Sequence, residues 1–183
     1  MRYAVSSYVL KFSTEVVDYR CLIPYGKDYK EGFYLLLGIV GGFMDNREES
    51  LRLLREAEED FGRARRYREF NDWVTVIHYS QLAIEKSVKA IISCFEAYEW
   101  THDPSEQLTK LVRIGLLEEG MLRIAVYAKE AAPWRGRSTY GGLKNGLWRS
   151  PSELCREEDA VQLLQKAEES VRKAREFIEG FWR

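Results

Sequence analysis

Residues 73–97 read WVTVIHYSQLAIEKSVKAIISCFEA. Trp73, Ile77, Ser80, Ile84, Ser87, Ile91 and Phe95 alternate spacings of four and three, the period of one helix face. Val76, Ala83, Ala90 and Ala97 form a second stripe beside the first, each seven residues from the last. A helix with two apolar stripes meets neighbours on more than one side. This stretch is therefore expected to be the central helix of a bundle, with Asn71 or Asp72 placed to cap its start.

The flanks read the same way. From Glu48 to about Arg68, Leu51, Leu54, Ala57, Phe61 and Ala64 recur every three or four residues, with Glu and Arg on the other faces. Downstream, Asp103-Pro104-Ser105-Glu106 has the form of a capping box with proline at the first helical position, and Gly115 supplies a stop. That predicts a short helix over 104–114. A further helix is expected over roughly 117–132, ending before Pro133. Ser150-Pro151-Ser152-Glu153 has the form of a second capping box. After it a last helix runs to the C-terminus, turning residues such as Ala160, Leu163, Leu164, Ala167, Val171 and Ala174 inward. No strand signal follows Met44. Helices joined mostly by short links imply an all-α, up-and-down antiparallel bundle of four to five helices.

Before Met44 the chain has another character. Tyr3 to Phe12 (YAVSSYVLKF) alternates in the manner of a strand, and a Gly/Pro/Tyr-containing stretch leads to the apolar run 33–43. Residues 1–43 are either a small, β-containing N-terminal extension or the product of a misassigned start, with Met44 as the alternative. The bundle domain is 44–183.

The totals narrow the function. With 183 residues the chain can bury a sizeable core, and 45% hydrophobic with 31% charged residues is a globular composition. A net charge of -1 excludes a general nucleic-acid coat, so any anion must be held by a local patch. Cys21, Cys94 and Cys155 are scattered and contain no CxxC pair, which argues for a reduced, cytoplasmic setting and against a zinc site or disulfide framework. A membrane-spanning helix needs about 20 apolar residues, and the run at 33–43 falls short of that.

The segment Val74 to Ala90 resembles the second helix of HEPN (higher eukaryote and prokaryote nucleotide-binding) domains of the prokaryotic stand-alone type. In them an aromatic and small-residue run is followed by Gln, Ala, a Glu-Lys pair and a further Lys, here Gln81, Ala83, Glu85-Lys86 and Lys89. Thr101-His102-Asp103 is similar to the Thr-His-Asp that opens the third helix of the family, and Ala57 to Phe61 resembles part of its first. The Tyr140 region lies where many members carry an Arg-Tyr turn before the last helix. Together these matches cover about 47–181. The resemblance implies a homodimer, a nucleotide or RNA ligand, and a minimal nucleotidyltransferase partner in a toxin–antitoxin or stress-defence module. The double stripe of 73–97 also argues for the dimer, because it offers more apolar surface than one neighbour covers.

Ribonucleases of this family resemble one another in an arginine followed, after four to six intervening residues, by a histidine. The chain has two histidines. The positions that would supply the arginine are Asn71, Asp72 and Trp73 for His78, and Phe95, Glu96 and Ala97 for His102, so the motif is absent. His102 is expected to bond the turn at its helix start, and His78 to be a partly buried structural residue. Glu85 and Lys89 stand four apart as a surface ion pair would. Lys86 is expected to be solvated, though Lys86, His78 and Tyr79 are secondary candidates for a ligand pocket. No Walker loop and no Gly-x-Ser-x-Gly occur, and neither a metal site nor a cofactor is indicated.

That leaves AAPWRGRSTYGGLKNGLWRSP at 131–151, which carries four cations and no carboxylate. As a loop over 133–149 it would offer Arg135, Arg137 and Lys144 to a phosphate, glycines for close approach, and Tyr140 and Trp148 to stack on a base. The basic run Arg63 to Arg68 would extend the patch if the fold brings the two together. The favoured reading is a non-catalytic nucleotide- or RNA-binding protein. Its rivals are a divergent ribonuclease using Arg135 or Arg137 with Tyr140, and a structural scaffold in which this segment is a plain connector.

Overall fold

The computed structural model describes residues 46–183. The extension over 1–43, its strand and the alternative start at Met44 lie outside the described residues. The described chain is all-α apart from one small hairpin: α1 (Asn46–Arg68), α2 (Trp73–Ser93), α3 (Ser105–Arg113), α4 (Met121–Tyr140), β1 (Gly142–Lys144), β2 (Leu147–Arg149), α5 (Pro151–Leu154) and α6 (Glu157–Phe181).

Four long helices, α1, α2, α4 and α6, run alternately up and down. The first turns of α1 meet the residue after α6, where Trp182 Nε1 donates to Ser50 Oγ at 3.0 Å. The start of α2 meets the end of α4, and Lys166 of α6 reaches Glu130 of α4 at 2.7 Å. Helix α2 is the centre. Ile77, Ile84 and Ile91 of one stripe and Val76, Ala83 and Ala90 of the other are all 0% exposed. Each fully buried isoleucine contributes roughly 1.5–3 kcal/mol. Helices α1, α4 and α6 cover both stripes as far as Ser93, where α2 ends; beyond it Phe95 is buried, while Ala97, the last residue of the second stripe, is exposed. The apolar surplus that argued for a homodimer is thus already covered along α2, and that expectation now rests on the family resemblance alone.

Asp72 caps α2 as expected: its Oδ1 accepts from the Thr75 amide at 3.1 Å and its Oδ2 from the Thr75 hydroxyl at 2.7 Å. Three boundaries differ from expectation. Helix α4 passes through Pro133 and ends only at Tyr140. Proline removes the bond to the Lys129 carbonyl. Pro133 and Lys129 are both on the exposed side of the helix, while buried Ala131 and Ser138 hold the helix to the core on either side of the proline. Helix α3 starts at Ser105 without the expected box, and Asp103 Oδ1 instead accepts from the Ser105 amide at 3.1 Å. The Ser150/Glu153 capping box is present but opens the single turn α5. Helix α6 begins separately at Glu157, with Glu157, Glu158 and Asp159 at the positive end of its dipole.

Candidate functional site

The segment read as a loop over 133–149 is the last two turns of α4 followed by a two-stranded hairpin. Asn145 (φ 54°) and Gly146 (φ 76°) both take the left-handed conformation, the requirement of a type I′ turn. At the base, Gly141 has φ 83°, and a Cβ there would lie 2.1 Å from the Arg149 carbonyl oxygen. Only glycine fits. The register pairs Leu143 with Trp148, Lys144 with Leu147 and Gly142 with Arg149, so Trp148 and Lys144 stand on opposite faces of the hairpin. Lys144, Asn145, Arg149, Glu153 and Arg156 line an open cavity of about 380 Å³. Within it, Arg149 is tied to Glu153 at 2.9 Å.

The proposed binding residues therefore surround one end of the bundle and do not meet in one cleft. Two residues apart on a helix, Arg135 and Arg137 point to opposite sides. The Arg137 guanidinium lies 5.4 Å above the Trp134 ring, while Arg135 faces His78 on α2. Tyr140 and Trp148 are 75% and 65% exposed, free to stack. His78 is half-buried, with Nδ1 3.3 Å from the Ser138 hydroxyl. Burial first, and the charge of Arg135 second, push its pKa below the ordinary histidine value against a weaker opposing pull from Asp60. Its neighbour Tyr79 stacks on Tyr67 at 6.0 Å, and Arg63 lies over the Tyr79 ring at 5.6 Å. The basic run at the end of α1 is thus joined to the end of α4 through Tyr79 and His78. Ser138 and Asp60 were not singled out from the sequence, because each acts across helix pairs that a linear spacing cannot reveal.

The cations farther down α2 have a different fate. Lys86 is not solvated: it bonds Asp60 at 2.7 Å and Glu56 at 3.1 Å. Burial would lower its pKa, but those two carboxylates outweigh burial and raise it. Glu85 and Lys89 do pair, at 2.7 Å, but inside the protein, at 7% and 8% exposure. Burial alone would raise the Glu85 carboxyl, yet hydrogen bonds from Lys89 and Gln81 hold it below the usual carboxylate range. His102 does not bond its own turn. Its Nδ1 lies 3.2 Å from the Glu85 carboxylate, because the 94–104 connection folds back over α2. The thiols of Cys94 and Cys155 are pushed up to about 12 and about 11 by burial, so neither is a nucleophile near neutral pH.

A comparison with known families matches the HEPN domain over residues 50–179, most of the chain and nearly all of the bundle. The chain belongs to the HEPN domain family. That family is of nucleotide-binding and ribonuclease type. No curated protein matches this chain. Among the described residues of this HEPN domain, Arg65, Arg66 and Arg68 of α1, Arg135 and Arg137 of α4, Lys144 of the hairpin and Arg156 before α6 form no ion pair. All seven lie at the end of the bundle where α1 stops, α2 starts and α4 gives way to the hairpin. No helix among the described residues is long and apolar enough to cross a membrane.

Proposed function

We propose that this HEPN protein binds the phosphates of a nucleotide or RNA at the hairpin end of its bundle, without cleaving them, and works beside a partner such as a minimal nucleotidyltransferase. The observation that carries this is that most of the unpaired cations among the described residues gather there, next to exposed Tyr140 and Trp148, with only Arg55, Arg113 and Lys129 lying elsewhere, while Lys86 and Lys89 are neutralised by carboxylates. These guanidinium and ammonium groups are solvent-facing and have no carboxylate of their own, so they are open to an anion supplied from outside. Binding should weaken as salt rises, and Arg137→Ala or Lys144→Ala should each reduce the salt slope by about one while lowering affinity for all sequences alike. Fluorescence anisotropy with a labelled single-stranded RNA measures this. Absence of binding at low salt overturns the proposal. The partner is sought by co-purification with the product of the adjacent reading frame, and the dimer by light scattering.

One observation favours a second reading, cleavage. The lowered pKa of His78 leaves a neutral imidazole beside Arg135, which pairs a proton acceptor with a fixed positive charge. RNA degradation by the purified protein that disappears in His78→Asn would replace binding with catalysis.

A further inference from the structure

A second cavity, of about 330 Å³, opens where α1 turns into α2, and it is lined by Arg63, Arg66, Tyr67, Phe70 and Tyr79. No carboxylate lines it, and three of its five walls are aromatic rings. Tyr67 and Tyr79 lie nearly parallel, at an interplanar angle of 14°. Its two guanidiniums differ in state. Arg63 is fixed by Asp60 at 2.5 Å and Glu59 at 3.3 Å and is held over Tyr79, whereas Arg66 forms no ion pair among the described residues. Arg63 is thus a wall, and Arg66 is an open charge.

Phe70 is the unexpected member, because it is 75% exposed and contributes little to the core. Its turn is rigid. The Tyr67 carbonyl accepts from the amides of both Phe70, at 3.1 Å, and Asp72, at 3.2 Å, Asn71 holds the left-handed conformation, and Asp72 caps α2. A large ring held in water on a rigid turn, beside stacked tyrosines and an unpaired arginine, is a preorganised platform for a flat, anionic partner. Planar walls with a guanidinium at the rim suit a nucleobase and its phosphate better than a protein segment, whose side chains would find only rings and charge here.

We infer that the α1–α2 corner is a stacking site for an unpaired nucleobase, and that the ligand of the basic end is a single-stranded polynucleotide reaching both this corner and the hairpin. The inference rests on the phosphate-binding reading given above. The two cavities share no lining residue, and a lone nucleotide fills only one of them. Between them stands His78, edge-on to Tyr79 at 5.4 Å and 3.3 Å from the Ser138 hydroxyl of α4, so packed side chains link the corner to the end of α4 from which the hairpin leaves.

The test is anisotropy at low salt with labelled oligouridylate about ten nucleotides long, an abasic oligomer of equal length, the same sequence in deoxyribose form, and UMP as competitor. The wild-type protein should bind oligouridylate on the order of tenfold more tightly than the abasic oligomer, the scale of one stacked base, and UMP should compete weakly. Phe70→Ala and Arg66→Gln, both at exposed positions, should each cost on the order of tenfold without changing Tm, and Phe70→Ala should abolish the advantage over the abasic oligomer. Equal binding of the RNA and deoxyribose forms means that the site reads base and phosphate; preference for the RNA adds a 2′-hydroxyl contact. If the wild type binds no oligomer, the phosphate-binding reading fails and this inference falls with it. If the wild type binds but Phe70→Ala and Arg66→Gln match it, the stacking site alone is overturned and the phosphate-binding reading stands.

Discussion

Lys89 and Lys144 belong to the same domain and carry the same charge, yet one is neutralised inside the protein and the other is unpaired in solvent. Lys89 bonds buried Glu85, which also faces His102 and Gln81. Lys144 lines an open cavity and makes no ion pair. The difference shows that a cation in the sequence is not a cation presented to a ligand. Burial and nearby carboxylates decide, and on α2 they have turned binding candidates into structural ones.

The largest expected effect tests the buried half of this contrast. Glu85→Ala leaves the Lys89 ammonium buried without its partner, a loss of about 3–5 kcal/mol, whereas Lys144→Ala should stay within about 0.5 kcal/mol. Urea unfolding of the two variants side by side measures the gap. Similar losses, or a Glu85→Ala cost near that of Lys144→Ala, would mean that the two lysines are not energetically distinct.

The same contrast explains what could be read from the sequence. The bundle was legible, because α2 carries its two stripes in plain periodicity and each of their isoleucines lies in the core. The cap at Asp72 was legible too, being a local interaction. Helix α4 was misjudged because the rule against proline is local, while the packing of Ala131 and Ser138 that overrides it is tertiary. The hairpin was missed although its signal was present: Asn145-Gly146 between LeuLys and LeuTrp is a strong short-range indicator of a two-residue turn. Of the site, residue types were legible and their grouping was not. That Arg135 faces His78 while Arg137 faces Trp134 depends on α4 remaining helical there, and Asp60, the partner of Lys86, lies 26 residues away from it.

A second, intermediate effect probes the exposed half. Gly141→Ala forces an L-residue to φ 83° with its Cβ against the Arg149 carbonyl, so the hairpin must shift away from α4. The expected cost is about 1–3 kcal/mol of stability. If hairpin placement matters to the basic end, RNA affinity falls as well, while Glu85→Ala, studied below its Tm, leaves affinity unchanged. Full affinity in Gly141→Ala would separate the hairpin from the binding surface and shrink the exposed region to the ends of α1 and α4.

The smallest effect concerns a place where an unpaired cation shifts the titration of a neighbour. Arg135 has no carboxylate, and its charge is the second cause, after burial, of the lowered pKa of His78. In Arg135→Ala the pKa of His78 should rise toward its ordinary value but stop short of it, because burial remains. The sign for stability follows. A histidine whose folded pKa lies below its unfolded value takes up its proton more readily when unfolded, so the native state loses stability as pH falls from about 6.5 toward the folded pKa. Arg135→Ala should make that acid-side loss shallower, and His78→Gln should remove it. A proton NMR titration of the imidazole gives the pKa directly, and unfolding at pH 5 and pH 8 gives the linkage. An unchanged His78 pKa in Arg135→Ala would show that solvent already screens the Arg135 charge. The basic end would then be an array of hydrated surface cations, and its contrast with the buried pairs of α2 would be one of position alone.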